Sequence, residues 1–301
     1  MKILHVVPGL DDPTNGIAVA AKGIAAEQSK SNHEVELVET GDFVQSNNRT
    51  IEQFSEVWVH SMWLPMTLKA CWKVLKAKVR LVRMPHGCMD PVKVAYHWNK
   101  KRWVAPIERW LLRRCDRIVS TEAAEDGWIR DFVGRKCPPI ERISLNRPDF
   151  DWTKLPPLEP VKAIRTILYV GRLHPLKGVR YLIAALPKGV KLVVIGKDEG
   201  EGLELKALAA GLGAEVEFKG IVPQEEKETA LRTCDLFVLP TLSENYGLVV
   251  AEALERGKRV VTTDGASAWE GQPGVIYLKG YRDGTDEERV ELLKRGFESL
   301  R

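Results

Sequence analysis

The sequence predicts an α/β protein built from two parallel-sheet domains covered by helices. Short apolar runs of strand length alternate with longer runs of helical period along the chain. The alternation stops in a proline-rich stretch, "RPDFDWTKLPPLEP", and then restarts from a fresh strand. The 301 residues suffice for two domains, and a composition 44% hydrophobic and 29% charged can fill their cores.

In order, "KILHVV" is a strand, and a loop to Gly16 leads into the helical "IAVAAKGIAAEQSK". "HEVELVE" and "EVWVH" are strands, followed by a helical stretch from Met66 to Lys78 and the strand "VRLVRM". After "PHG" comes a long helical region to Arg114, then "DRIVST", another helix and "IERISL". Beyond the prolines, "TILYVG", "KLVVIG", "EVEFKG", "DLFVLP" and "RVVTT" are strands separated by helices. The expected boundaries are a first domain over 1–147, a linker over 148–163 and a second domain over 164–285. A closing helix over 286–301 is expected to pack back on the first domain. Ligands of such sheets bind at the carboxyl ends of strands, so a central cleft between the domains is the expected site.

Net charge is +4 and the pI near 8.7, too weakly basic to indicate nucleic acid. The five cysteines are scattered without a C-x-x-C pair, which favours a reducing compartment over a zinc site. The opening "MKILHVVPG" turns polar too soon for a signal peptide, and no run reaches membrane-spanning length. A cytoplasmic protein is expected, with a peripheral place on the inner face of the membrane as the alternative.

The stretch "SENYGLVVAEAL", residues 243–254, holds Glu244 and Glu252 eight positions apart, with Gly247 between them. Glu244 is expected in the turn after "CDLFVLPTL", and Glu252 about two helical turns later, roughly 12 Å along the axis. A helix N-terminus between two carboxylates suits an elongated ligand with phosphate in the middle and hydroxyls at each end, which describes a nucleotide sugar. The plainer alternative makes Glu244 a cap and Glu252 a solvated helix residue. In "YVGRLHPLKG", Gly171 permits a tight turn, and Arg172 and Lys177 set two cations beside a helix start. They would neutralise a diphosphate leaving group, or they are ordinary surface charges.

Taken in order, strand–G-R-x4-K-G, "KGIVPQEE" at 219–226 and the Glu-x7-Glu segment resemble the family 4 retaining glycosyltransferases of the GT-B fold, two Rossmann-like domains facing a cleft. The resemblance covers nearly the whole chain. In the first half the Gly16 loop, "HGCMDP" and "RRCDRIVSTEAAE" are similar to members acting on bacterial surface polysaccharides. It implies that Arg172 and Lys177 hold the donor diphosphate, that Glu244 binds donor-sugar hydroxyls and that Glu252 binds the ribose. Backbone N–H groups of Asn245, Tyr246, Gly247 and Leu248 would meet sugar and phosphate, Ile221 and Pro223 would flank the base, and Gly16 would lie near the donor. His86 would stand beside the transferring sugar, although on the residues alone a packed or capping histidine is the commoner case. His60 and Asp90 are weaker candidates on the acceptor side.

The chain also departs from the family. Asn146-Arg147 replaces the usual Asn-Gly, one glycine stands in the Asn15-Gly16 loop where relatives have two, and the chain ends soon after "DEERVELLKRGFESLR". "DFD" at 149–151 has the Asp-x-Asp form that binds metal elsewhere, but it lies in the linker, and neither a metal nor a cofactor is expected. "PGLDDPTNG" lacks dehydrogenase glycine spacing, and no nucleophile elbow occurs.

The expected reaction is a retaining transfer from a nucleoside-diphosphate sugar to a hydroxyl of a glycan or lipid-linked glycan. No paired carboxylates mark a double displacement, so front-face attack is expected, with Arg172 and Lys177 stabilising the leaving diphosphate. An epimerase of the same fold and a non-catalytic sugar-nucleotide-binding protein are the alternatives. From Lys93 to Arg114 the chain carries seven Lys or Arg, one Glu and three Trp, with Pro106 expected to start a new helix. That segment is either a packed helix with a basic face in water or a face for an anionic membrane.

Overall fold

The computed structural model describes residues 1–12, 15–46, 50–96, 98–143, 155–161 and 163–300. Asn146, Arg147, Asp149 and Asp151 lie outside the described residues. The chain divides into two compact units, Met1–Asp149 and Phe150–Arg301.

In the first unit the apolar runs become β1 (Lys2–Val7), β2 (Glu34–Glu39), β3 (Glu56–His60), β4 (Arg80–Met84), β5 (Arg117–Ser120) and β6 (Ile140–Arg142). They form one parallel sheet in the order β2-β1-β3-β4-β5-β6. All five residues of β3 are buried, as a central strand covered on both faces must be. The helices are α1 (Gly16–Lys30), α2 (Thr40–Gln45), α3 (Pro65–Lys76), α4 (Pro91–Ala95), α5 (Trp98–Leu112) and α6 (Ala123–Val133). A fully buried ion pair, Arg83 to Glu108 at 3.1 Å, ties β4 to α5. The second Glu108 oxygen accepts the Trp63 N–H at 2.7 Å, so the buried charge has partners on both sides.

The second unit repeats the plan with β7 (Thr166–Val170), β8 (Lys191–Ile195), β9 (Val216–Gly220), β10 (Leu236–Leu239), β11 (Val260–Thr263) and β12 (Val275–Leu278). Its parallel order is β12-β11-β10-β7-β8-β9. The helices are α7 (Val179–Ala185), α8 (Gly202–Leu212), α9 (Gln224–Thr233), α10 (Leu248–Leu254) and α11 (Asp286–Glu298). A capping box starts α11: the Thr285 hydroxyl accepts the Glu288 N–H, and the Glu288 carboxylate accepts the Thr285 N–H. The helix packs on α7, β11 and β12, burying Leu293 and Phe297 in the second core.

Several elements differ from expectation. α5 runs through Pro106 without a break. The ring lies on the exposed face, where water can take up the carbonyl that loses its N–H partner. α10 begins at Leu248, so about one turn of helix, not two, precedes Glu252. α2 and β12 were not expected; β12 is a four-residue edge strand, too short to show a period.

Candidate functional site

In the second sheet the strand order reverses between β7 and β10, and the loops leaving these two strands are fastened together. Gly178 has φ +66°, and a Cβ there would lie 2.1 Å from the Pro240 carbonyl oxygen. Only glycine permits this approach, which lets the Leu242 N–H and the Thr241 hydroxyl both donate to the Leu176 carbonyl, at 2.8 and 3.1 Å. Gly265 admits the neighbouring turn in the same way, and its carbonyl accepts the Glu244 N–H at 2.7 Å. Gly196 lies against the Gly171 carbonyl, and the buried Tyr169 hydroxyl donates to the Arg172 carbonyl at 2.8 Å. Four strand ends thus share one rigid rim.

On this rim Lys177 and Glu244 meet. Lys177 closes a short 3-10 turn over Pro175–Lys177, whose start is capped by the His174 ring. Its ammonium, on a residue only 8% exposed, lies 2.5 Å from a Glu244 carboxylate oxygen. The other Glu244 oxygen accepts the Asn245 N–H at 3.1 Å. The carboxylate facing the ammonium offsets the cost of burying it.

Arg172 stands apart from that pair, half-exposed, with its guanidinium 2.7 Å from Glu199 in the loop after β8. Glu252 on α10 pairs with Lys227 on α9, the ammonium 2.9 and 3.1 Å from its two oxygens. Gly247 has φ +75° and precedes α10, and the Trp269 indole donates to the Tyr246 carbonyl. Leu248 is the first residue of that helix. Ile221 is 60% exposed at the end of β9, and Pro223 starts α9. The expected second-half residues therefore lie on the loops leaving β7, β9 and β10 and on α10. Glu199 and Lys227, partners of two of them, were missed; their ion pairs span 27 and 25 residues and leave no local pattern.

In the first unit Gly16 opens α1, where Asn15 caps the helix by accepting the Ile17 N–H at 3.1 Å. A Cβ on Gly16 would meet nothing within 4 Å, so the position faces open space. Asp90 caps α4 by accepting the Val92 N–H at 2.9 Å. His86 follows β4 in a left-handed conformation, φ +56°, and the next N–H, of Gly87, donates to the buried Glu125 carboxylate at 2.6 Å. Burial pushes the Glu125 carboxyl up, and hydrogen bonds from Gly87 and Thr121 oppose it. His60 is fully buried with both ring nitrogens engaged, 2.8 Å from His5 and 2.7 Å from His86. His5 in turn meets the Gln28 side-chain oxygen at 2.7 Å. His5 and Gln28 were missed, although a lone histidine inside the apolar run "KILHVV" was the visible signal.

Residues 153–270 match the family described as Glycosyl transferases group 1, and that segment holds the Lys177–Glu244 rim. That segment is similar to the group 1 glycosyl transferases. A phosphatidyl-myo-inositol mannosyltransferase of Mycolicibacterium smegmatis is 36% identical over 108 residues, 33% of this chain and 28% of that protein. The chain spans less than half the length of the curated relatives it matches first. Among solved structures, Anabaena Alr3699/HepE in complex with UDP and glucose superposes with TM-score 0.71 at 19% identity, over 99% of this chain and 90% of that one. WaaG, a glycosyltransferase involved in lipopolysaccharide biosynthesis, superposes with TM-score 0.67 at 16% identity, over 100% and 92%. The two six-stranded parallel sheets with their helices are thus a GT-B-like fold, with the group 1 match covering β7 to β11 of the second sheet.

Proposed function

We propose that this chain transfers a sugar from a nucleoside-diphosphate sugar to a hydroxyl of a glycan or lipid-linked glycan, retaining the anomeric configuration and using no metal. The observation that carries the reading is the buried Lys177–Glu244 pair at the strand-order reversal within the group 1 match. Lys177 offers N–H donors to the diphosphate while Glu244 turns its carboxylate to sugar hydroxyls. Arg172 is held by Glu199 at the surface and swings to the diphosphate on binding. As the glycosidic oxygen leaves, the two cations neutralise its charge, and the diphosphate accepts the proton of the attacking hydroxyl on the same face. Glu252 and Ile221 serve the nucleoside. WaaG is involved in lipopolysaccharide biosynthesis, and we extend that to a bacterial surface glycan as the acceptor here.

The test begins with a thermal-shift panel of nucleoside-diphosphate sugars, followed by transfer assays with the one that binds. Lys177→Ala or Arg172→Ala should slow transfer at saturating donor by about ten- to a hundredfold, the worth of a charge-assisted hydrogen bond. Glu244→Gln should slow turnover similarly yet leave nucleoside-diphosphate affinity nearly unchanged. A new sugar nucleotide formed without acceptor would make the chain an epimerase. Binding without transfer or hydrolysis would make it a sensor. Activity lost to a chelator and restored by metal would overturn the metal-free mechanism.

A second observation supports a membrane face. Trp72, Trp98, Trp103, Ile107 and Trp110 are all at least 36% exposed on α3 and α5, among Lys76, Lys100, Arg102, Arg109 and Arg114. We propose that this face rests on anionic lipid, where a lipid-linked acceptor would lie.

A further inference from the structure

We propose that Gln28, His5 and His60 are positioning residues that fix His86 as its Nε2–H tautomer, leaving the Nδ1 lone pair to accept a hydrogen bond from a sugar hydroxyl. The identity of that hydroxyl rests on the transferase reading above; the tautomer does not.

A neutral imidazole has one N–H and one lone pair, so a contact between two ring nitrogens holds a single proton. His5 Nδ1 lies 2.8 Å from His60 Nε2, and His60 Nδ1 lies 2.7 Å from His86 Nε2. Fixing one end of such a line fixes every ring in it. The fixed end is Gln28 near the close of α1, whose amide is oriented with Oε1, an acceptor only, 2.7 Å from His5 Nε2. His5 Nε2–H therefore donates to Gln28, and the His5 Nδ1 lone pair accepts from His60 Nε2–H. The His60 Nδ1 lone pair then accepts from His86 Nε2–H. Nδ1 of His86 is left with its lone pair and no partner among the described residues, on a residue 5% exposed. A network serving stability alone would close on itself; this one ends open at the carboxyl end of β4.

Neutrality is required of His5 and His60, because a proton added to either would set two N–H groups against each other at one contact, and of His86, because the added proton would occupy the Nδ1 lone pair itself. Burial supplies it, pushing His5 down to about 4 and His86 to about 3, with His60 held well below the usual range. Lys93 beside His86 and Arg83 near His60 act in the same direction, while Glu56 near His5 opposes. The backbone points to the same place. Ser61, Trp63 and His86 all have φ between +56° and +69°, on the loops leaving adjacent strands β3 and β4. Such geometry is strained for a non-glycine residue and tends to collect at functional positions.

The tautomers are read directly by ring-nitrogen NMR of the full chain labelled with 15N-histidine. The expected wild-type spectrum has His86 protonated at Nε2 and unprotonated at Nδ1. Gln28 is half-exposed on its helix and accepts substitution. Gln28→Glu keeps the acceptor and should keep the pattern; Gln28→Lys offers a donor and should reverse all three rings, moving the His86 proton to Nδ1. Reversal should also lower kcat about tenfold or more, with donor KM little changed and Gln28→Glu near wild type. A wild-type His86 protonated at Nδ1, or a His86 spectrum unmoved by Gln28→Lys, would overturn the relay. The predicted tautomers in a chain that transfers no sugar would uphold the relay and remove the transferase reading instead.

Discussion

His5, His60 and His86 share two nitrogen contacts in the interior of the first sheet, and their burial couples the fold to pH. In the unfolded chain each ring takes a proton near pH 6.5, whereas the folded values lie well below, at about 4 for His5 and about 3 for His86. Between those limits the unfolded chain binds more protons, so stability rises with pH across that window. It is complete above the unfolded value and declines as the pH falls toward the folded ones. From pH 6.5 to pH 5 the His5 and His86 rings should each remove on the order of 1.5 kcal/mol, and His60 acts in the same direction, enough together to threaten a unit of ordinary stability. Urea midpoints at the two pH values measure this, and His5→Phe should remove about a third of the slope. A midpoint independent of pH would contradict neutral burial. At this scale the sequence disclosed the charged site residues but not their partnerships. Arg172, Lys177, Glu244 and Glu252 carry local spacing, whereas Glu199, Lys227, Gln28 and His5 matter through pairings 23 to 55 residues apart.

The loops leaving β7 and β10 depend on close backbone approach more than on side-chain contacts. Gly178 has a left-handed φ and no room for a methyl group against the Pro240 carbonyl. Gly178→Ala must therefore both strain its own backbone and push the β10 loop away, breaking the Leu242–Leu176 hydrogen bond. The expected loss is about 2–4 kcal/mol, from about 1–2 for the dihedral and the rest for the displaced contact. It should appear as a lowered denaturation midpoint for the second unit, with nucleotide affinity falling as Lys177 and Glu244 separate. Gly16→Ala, at a position facing open space, should leave stability within about 0.5 kcal/mol of wild type. Equal effects of the two substitutions would mean that the rim is not fastened as described. Element type was largely legible, because buried parallel strands write themselves as apolar runs such as "DLFVLP". Element ends were less so: α10 starts at Leu248, after the turn that Gly247 makes, so one helical turn rather than two precedes Glu252. Pro106 stays inside α5 because its lost hydrogen bond lies on the wet side, which sequence spacing does not reveal.

Across the molecule, the exposed tryptophans gather on α3 and α5 of the first unit, while Lys177, Glu244 and Glu252 belong to the second. Trp72 and Trp110 lie 5.5 Å apart, and Lys76, Arg102 and Arg114 sit over the rings of Trp72, Trp103 and Trp110. Ala105, Glu108, Leu111 and Leu112 form the buried side of α5, so the aromatic side is not needed for packing. No described helix is long and apolar enough to cross a membrane. Each Lys or Arg near an anionic bilayer contributes ~1 kcal/mol, and the indoles add apolar burial at headgroup depth. Lys101 contributes less, since it is half-buried and donates to the Lys93 carbonyl. Replacing Lys100, Lys101 and Arg102 by Ser should therefore cost about 2–3 kcal/mol, or roughly 30- to 150-fold in vesicle partitioning. Flotation with phosphatidylglycerol vesicles at low salt is the measurement. Binding should fall as salt shortens the screening length to about 10 Å at 0.1 M, and should vanish on neutral phosphatidylcholine. Trp103→Ser should weaken binding at every salt concentration, because its contribution is apolar rather than electrostatic. Protein that remains wholly in the unfloated fraction would remove the membrane face yet leave the transfer chemistry at Lys177 and Glu244 intact.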